Sequence, residues 1–160
     1  MLSQVLTPQS LSKPALEAWF RLLRGHAATR RTLDAELQAA HGLTVVSYEA
    51  LLLLSRAEER AMRRVDLAQG LGLTPSGVTR LLDGLERDGL VAKGACSKDA
   101  RVTYAVLTEA GAERLERASC SHTGSVRALF EDRYTVEELE TLAELLSRLP
   151  GGSDCDDCDA

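Results

Sequence analysis

The sequence predicts a mostly α-helical domain with one small β-hairpin, and three observations support that class. Only six of 160 residues are aromatic, so leucine and alanine must fill the core, which favours helices. Apolar residues recur at three- and four-residue spacing over most of the chain. The exception is a pair of short stretches, Leu90-Val91-Ala92 and Val102-Thr103-Tyr104-Ala105-Val106. They flank a polar, glycine-containing turn from Lys93 to Ala100 and read as two strands of a hairpin.

Taken in order, residues 1–10 form a loose arm containing Thr7-Pro8. From Leu11 to about Ala40 the pattern is helical, through Leu16, Phe20, Leu23, Ala27, Leu33 and Leu37, and His41-Gly42 ends it. A helix of about 30 residues is long for one small core and reaches beyond it. Ser47 is the expected cap of a second helix, with Ala50, Leu51, Leu53 and Leu54 inside. Glu58 to Arg64 is a charged connection. Val65, Leu67, Ala68 and Leu71 then make a short apolar face closed by Gly72. Thr74 can cap the next helix, and Pro75 suits its first turn. Val78, Leu81, Leu82 and Leu85 are its buried face, while Ser76, Thr79, Arg80 and Asp83 fall on the other side. Asp88-Gly89 stops it.

Residues 64–87 therefore read as a helix-turn-helix, and the hairpin makes it a winged one. After the wing, Thr108 caps a helix running from Glu109 towards Phe130, through Leu115, Ala118, Val126, Leu129 and Phe130, with Gly124 a candidate bend. Thr135 and Glu138 form a capping box. Leu139, Leu142, Leu146 and Leu149 make a stripe with Leu145 beside it. Pro150-Gly151-Gly152 ends the fold, and residues 151–160 read as an acidic disordered tail.

This is one domain over residues 1–150. The helix-turn-helix and wing occupy about 45–107, and flanking helices about 11–41 and 108–149. The flanking leucine stripes exceed what one small lobe covers, so they pack either within one chain or across a dimer.

Net charge is −5, but it is uneven. Residues 60–101 carry a net +3, residues 102–160 a net −8, and residues 1–59 balance. The positive region coincides with the helix-turn-helix and wing, and the local field matters more than the total for DNA. No basic, apolar leader and no membrane-length apolar run is visible, so a cytoplasmic protein without a membrane partner is expected. Four cysteines in such a chain read as thiols rather than a disulfide framework. Cys155-x-x-Cys158 supplies only two of the four ligands zinc requires, so no metal or cofactor is expected. No nucleophile–base pair, phosphate loop or paired carboxylates appear, which argues against an enzyme.

On the second helix of the motif, Ser76, Thr79 and Arg80 suit phosphate and base-edge contacts, and arginine can grip guanine through two parallel hydrogen bonds. Thr74 and Gly77 allow close approach at the helix start. Arg63, Arg64 and Lys93 are candidate phosphate contacts. The alternative is a winged helix that binds only protein, with Arg80 a solvated surface charge.

The segments VDLAQGLGLTPSGVTRLLDGLERDGLV, SKDAR and AVLTEAG, in that order, resemble the multiple antibiotic resistance regulator (MarR) family. Its signature joins a helix-turn-helix, a wing with Asp-x-Arg and a Leu-Thr-x-x-Gly helix start. By element order the resemblance spans roughly residues 11 to 149. Two departures bear on the wing: Lys93 stands where the family usually has arginine, and Cys96 where it is usually polar or acidic.

The resemblance implies a homodimer held by the first and last helices, bound to a pseudo-palindrome in double-stranded DNA and usually repressing a promoter. It implies that Arg101 enters the minor groove, with Asp99 and Lys98 at the wing tip. It also implies release by a small aromatic, phenolic or carboxylate ligand, with Trp19, Arg24, His26 and Tyr48 in the segments that would line its pocket. Ordinary packing or surface exposure is the plainer role for each of those four. A thiol trigger at Cys96, with Cys120 as a second thiol, or a metal trigger at the tail is the alternative.

Overall fold

Capping chemistry sets the helix boundaries. The computed structural model describes residues 11–95 and 103–150. Helix α1 spans Lys13–His41, opened by the Ser12 side chain, which accepts the Ala15 N–H, and closed at Gly42 with φ of 68°. Only glycine takes that left-handed turn without steric cost, and its N–H satisfies the Gln38 carbonyl.

Helix α2, Val45–Arg56, begins earlier than the sequence suggests. Thr44, not Ser47, is its cap: the Thr44 hydroxyl accepts the Ser47 N–H at 3.2 Å. Asp34 reaches across from α1 to take the Val45 N–H at 2.7 Å, a long-range contribution that local pattern does not reveal. The two helices turn through 73° at this junction.

A short turn, Glu58–Arg60, places Glu59 and Arg60 both in the left-handed region, at φ 53° and 54°. It delivers strand β1, Ala61–Arg63, where the sequence reading had only a charged connection. Three residues flanked by arginines are too few for alternation to show. The wing is thus a three-stranded antiparallel sheet in the order β1-β3-β2, with β2 at Val91–Ala95 and β3 at Thr103–Leu107. Met62 lies opposite Ala105, and Lys93 opposite the same residue from the other side. Lys93 therefore belongs to a strand, not to the turn.

Helices α3, Arg64–Gly70, and α4, Pro75–Arg87, form the helix-turn-helix. Gly72 turns the chain at φ 61° and Gly89 releases α4 at φ 72°. Val78, Leu82 and Leu85 of α4 share one buried core with Leu67 and Ala68 of α3, with Leu43, Leu51 and Leu54 in and before α2, and with Leu90, Val91, Ala105 and Leu107 at the wing. Each such aliphatic side chain contributes about 1.5–3 kcal/mol on full burial. Leu81 is half-buried against this core, but Val65 points outward at 65% exposure, so the apolar face of α3 is narrower than expected.

Helix α5, Glu109–Phe130, runs unbroken through Gly124. Its start is welded to the wing. The Thr108 hydroxyl donates to the Gly89 carbonyl at 2.8 Å and accepts the Gly111 N–H at 3.0 Å, while the Thr108 N–H goes to Leu90. A Cβ on Gly111 would stand 2.1 Å from the Leu90 carbonyl oxygen, so this close approach demands glycine. Helix α6, Val136–Ser147, opens with the anticipated capping box between Thr135 and Glu138. It contributes no buried residue, and neither does the first half of α1. Leu16, Trp19, Phe20, Leu23, Leu145 and Leu149 are all exposed. No single helix among the described residues is long and apolar enough to cross a membrane.

Candidate nucleic-acid interface

Helix α4 presents two unlike faces. Its apolar side is fixed in the core, and Ser76, Thr79 and Arg80 stand exposed on the other. The Thr74 hydroxyl caps the helix through the Gly77 N–H at 3.1 Å and lies 3.2 Å from the Ser76 hydroxyl. A Cβ at Gly77 would come within 3.2 Å of that Thr74 oxygen, so the glycine keeps room for the cap itself. Thr79 spends its hydroxyl proton on the Pro75 carbonyl at 2.8 Å. Its lone pairs and methyl remain to face outward. Arg80 makes no hydrogen bond or ion pair among the described residues, and its guanidinium carries five donors.

The neighbouring cations differ. Arg63 is clamped by both carboxylate oxygens of Asp66, at 2.6 and 2.7 Å. Arg64, at the start of α3, lies 3.4 Å from Glu86 and 4.0 Å from Asp83. Lys93 lies 3.1 Å from the second oxygen of the same Glu86. The three expected phosphate contacts are thus internally paired, whereas Arg80 has no such partner among the described residues. Sequence reading missed Glu86 and Asp66 as partners. The Arg63–Asp66 spacing of three on one helical turn was a usable signal. Glu86 is 22 residues from Arg64 and offered none. Cys96, Lys98, Asp99 and Arg101 lie outside the described residues, as do Cys155 and Cys158. Cys120 is exposed on α5.

Of the four residues expected around an effector, Trp19, Arg24 and His26 lie on α1 and Tyr48 on α2. Trp19 is 53% exposed on the outer half of α1. Arg24 sits 5.9 Å from the centre of the Phe20 ring. His26 is exposed on α1 and faces the Glu49 region. Burial raises the Glu49 carboxyl, Arg30 and His26 pull it down, and Asp34 adds to the rise.

Tyr48 alone is buried, its hydroxyl 3.1 Å from that of Ser119 and its ring 4.6 Å from the His122 ring. Sequence reading did not single out His122. It borders a groove of about 290 Å³ between α1 and α5, with Leu33, Glu36, Leu37 and Ser125. Its Nδ1 is buried without a hydrogen-bond partner. Burial lowers the His122 pKa from its ordinary 6.5, with Glu36 opposing. Among the described residues no group of three or more metal-ligating side chains occurs.

Comparison with known proteins agrees with this geometry. A MarR family model matches residues 41–102, from the end of α1 through the wing. The transcriptional repressor YetL of Bacillus subtilis is 32% identical over 111 residues, covering 69% of this chain and 66% of its own length. Among solved structures, AbsC, a MarR family transcriptional regulator from Streptomyces coelicolor, superposes with a TM-score of 0.79 at 33% identity, covering 86% of this chain and 93% of its own. Sco3205, a MarR family transcriptional regulator of the same organism solved in complex with DNA, reaches 0.82 at 29% identity, covering 87% of each chain. With helix-turn-helix, wing and flanking helices in the same arrangement, the chain belongs to the MarR family of transcriptional regulators.

Proposed function

We propose that the protein is a homodimeric repressor that binds a pseudo-palindromic site in double-stranded DNA through α4 and the wing. The observation that supports this most directly is the asymmetry of α4: one face is locked in the core, and the other carries Ser76, Thr79 and Arg80, which has no ion-pair partner among the described residues. Such a helix can enter the major groove without disturbing its own packing. The DNA complex of Sco3205 and the repressor name of YetL lend support.

The apolar surface on the outer half of α1 and on α6 needs a cover, and a second copy would place two recognition helices about one DNA turn apart, roughly 34 Å. Selection from random duplexes, followed by titration of the selected site against salt, tests the reading. A two-fold sequence motif and a dimeric complex are expected. Equal affinity for selected and scrambled duplexes refutes it.

For the effector we propose a phenol rather than a carboxylate. The groove between α1 and α5 is lined by His122 and by the Glu36 carboxylate, so a neutral hydroxyl donor fits better than an anion. A panel of phenols and aromatic acids added to the DNA complex decides the matter. Release by the acids alone argues for another site.

A further inference from the structure

We infer that Glu86 is a positioning residue that limits how many DNA phosphates this protein can grip, by holding Lys93 of the wing strand and Arg64 of the helix-turn-helix on one carboxylate. The inference rests on the DNA-binding reading above. Glu86 is near the end of α4, its side chain 17% exposed, with one oxygen 3.4 Å from Arg64 and the other 3.1 Å from Lys93. Three elements, α3, α4 and β2, therefore meet at a single charge.

The two cations are not equivalent. Arg64 is 26% exposed and its Nε is buried, so it stays wedged between α3 and α4, with Asp83 as a second anion at 4.0 Å. Lys93 is 61% exposed on a strand of the wing, and four methylenes let its ammonium swing outward. Moving Lys93 from Glu86 to a phosphate would leave a half-desolvated carboxylate short of a partner, which opposes the exchange. Glu86 thus withholds one phosphate contact that the sequence alone would count as available.

The test compares wild type with Glu86→Gln, which keeps the shape and removes the charge, on one duplex across a salt series. Each phosphate neutralised adds about 0.9 to the slope of log affinity against log salt. Glu86→Gln should bind more tightly at low salt and gain roughly one such contact. Its affinity should therefore fall an extra ~3.5-fold between about 50 and 200 mM salt. The double variant Glu86→Gln with Lys93→Gln should lose that gain. A merely structural role for Glu86 would lower stability without steepening the slope, and an unchanged slope in folded Glu86→Gln overturns the inference.

Amine labelling of wild type supplies a second measurement independent of any variant's folding. DNA should leave Lys93 as reactive as in the free protein, with Lys13 as the internal reference, and protection of Lys93 by DNA in wild type also overturns it. Wild type showing no salt-dependent affinity for duplex DNA would instead sink the DNA-binding reading itself.

Discussion

Gly111→Ala is the most incisive substitution this structure offers. The added methyl would sit 2.1 Å from the Leu90 carbonyl oxygen and 2.7 Å from Leu107 Cδ1. Carbon-to-oxygen contacts need about 3.3 Å, so α5 must back away from the wing by about 1.2 Å. The obstacle is backbone, so no rotamer change relieves it. Overpacking of this kind costs about 1–3 kcal/mol. Retreat also stretches the Thr108–Gly89 and Thr108–Leu90 hydrogen bonds, each contributing about 1 kcal/mol.

A total of about 3–5 kcal/mol follows if both bonds are lost, against a global stability of about 5–15 kcal/mol. For a chain of 160 residues that lowers Tm on the order of 10 °C. Thermal unfolding followed by circular dichroism at one fixed protein concentration reads it. A Tm within about 2 °C of wild type would show that the junction yields freely, and the reasoning about close approach would be wrong.

Arg80→Ala should cost about 1–3 kcal/mol in DNA affinity and relax preference at one position per half-site; a uniform loss over all sequences would show that it touches only phosphate. Thr135→Ala removes the cap of a helix without buried residues, and should cost about 1 kcal/mol; hydrogen exchange ought to rise in α6 well before α4, and equal rises would contradict a local role. His122 is held neutral by burial, so its stabilising contribution is present above its ordinary 6.5 and is lost as pH falls through the lower folded value. Wild type should therefore lose Tm as pH falls below the ordinary histidine 6.5 through that lower value, and His122→Gln should flatten that limb; an unaltered profile in the variant assigns the loss to other groups.

The helix-turn-helix was legible because its signals are local. Thr74, Pro75 and Gly89 lie at the ends of α4, and Val78, Leu82 and Leu85 mark its buried face at helical spacing. The capping box at Thr135 was legible for the same reason. What escaped depended on distant partners. Asp34 takes the Val45 N–H at the start of α2 from eleven residues away, while the Thr44 cap itself is local and was passed over for Ser47. Strand β1 exists only because β3 offers it an edge. Glu86 ties Arg64 to Lys93 across three elements, so sequence counted as available two cations that the fold neutralises. The glycine of the Leu-Thr-x-x-Gly start could be named from pattern, but its cause, the carbonyl of Leu90, appears only in three dimensions.

Helix α5 can also be viewed mechanically. It is one continuous rod of 22 residues, about 33 Å long at 1.5 Å per residue. The Thr108 and Gly111 junction ties one end of that rod to the wing base, while Arg114, Ser119 and Ser121 tie it further along to α1 and α2 through hydrogen bonds to His41 and Tyr48. A push at the Phe130 end therefore loads the wing base and the α1–α2 junction together rather than the wing alone.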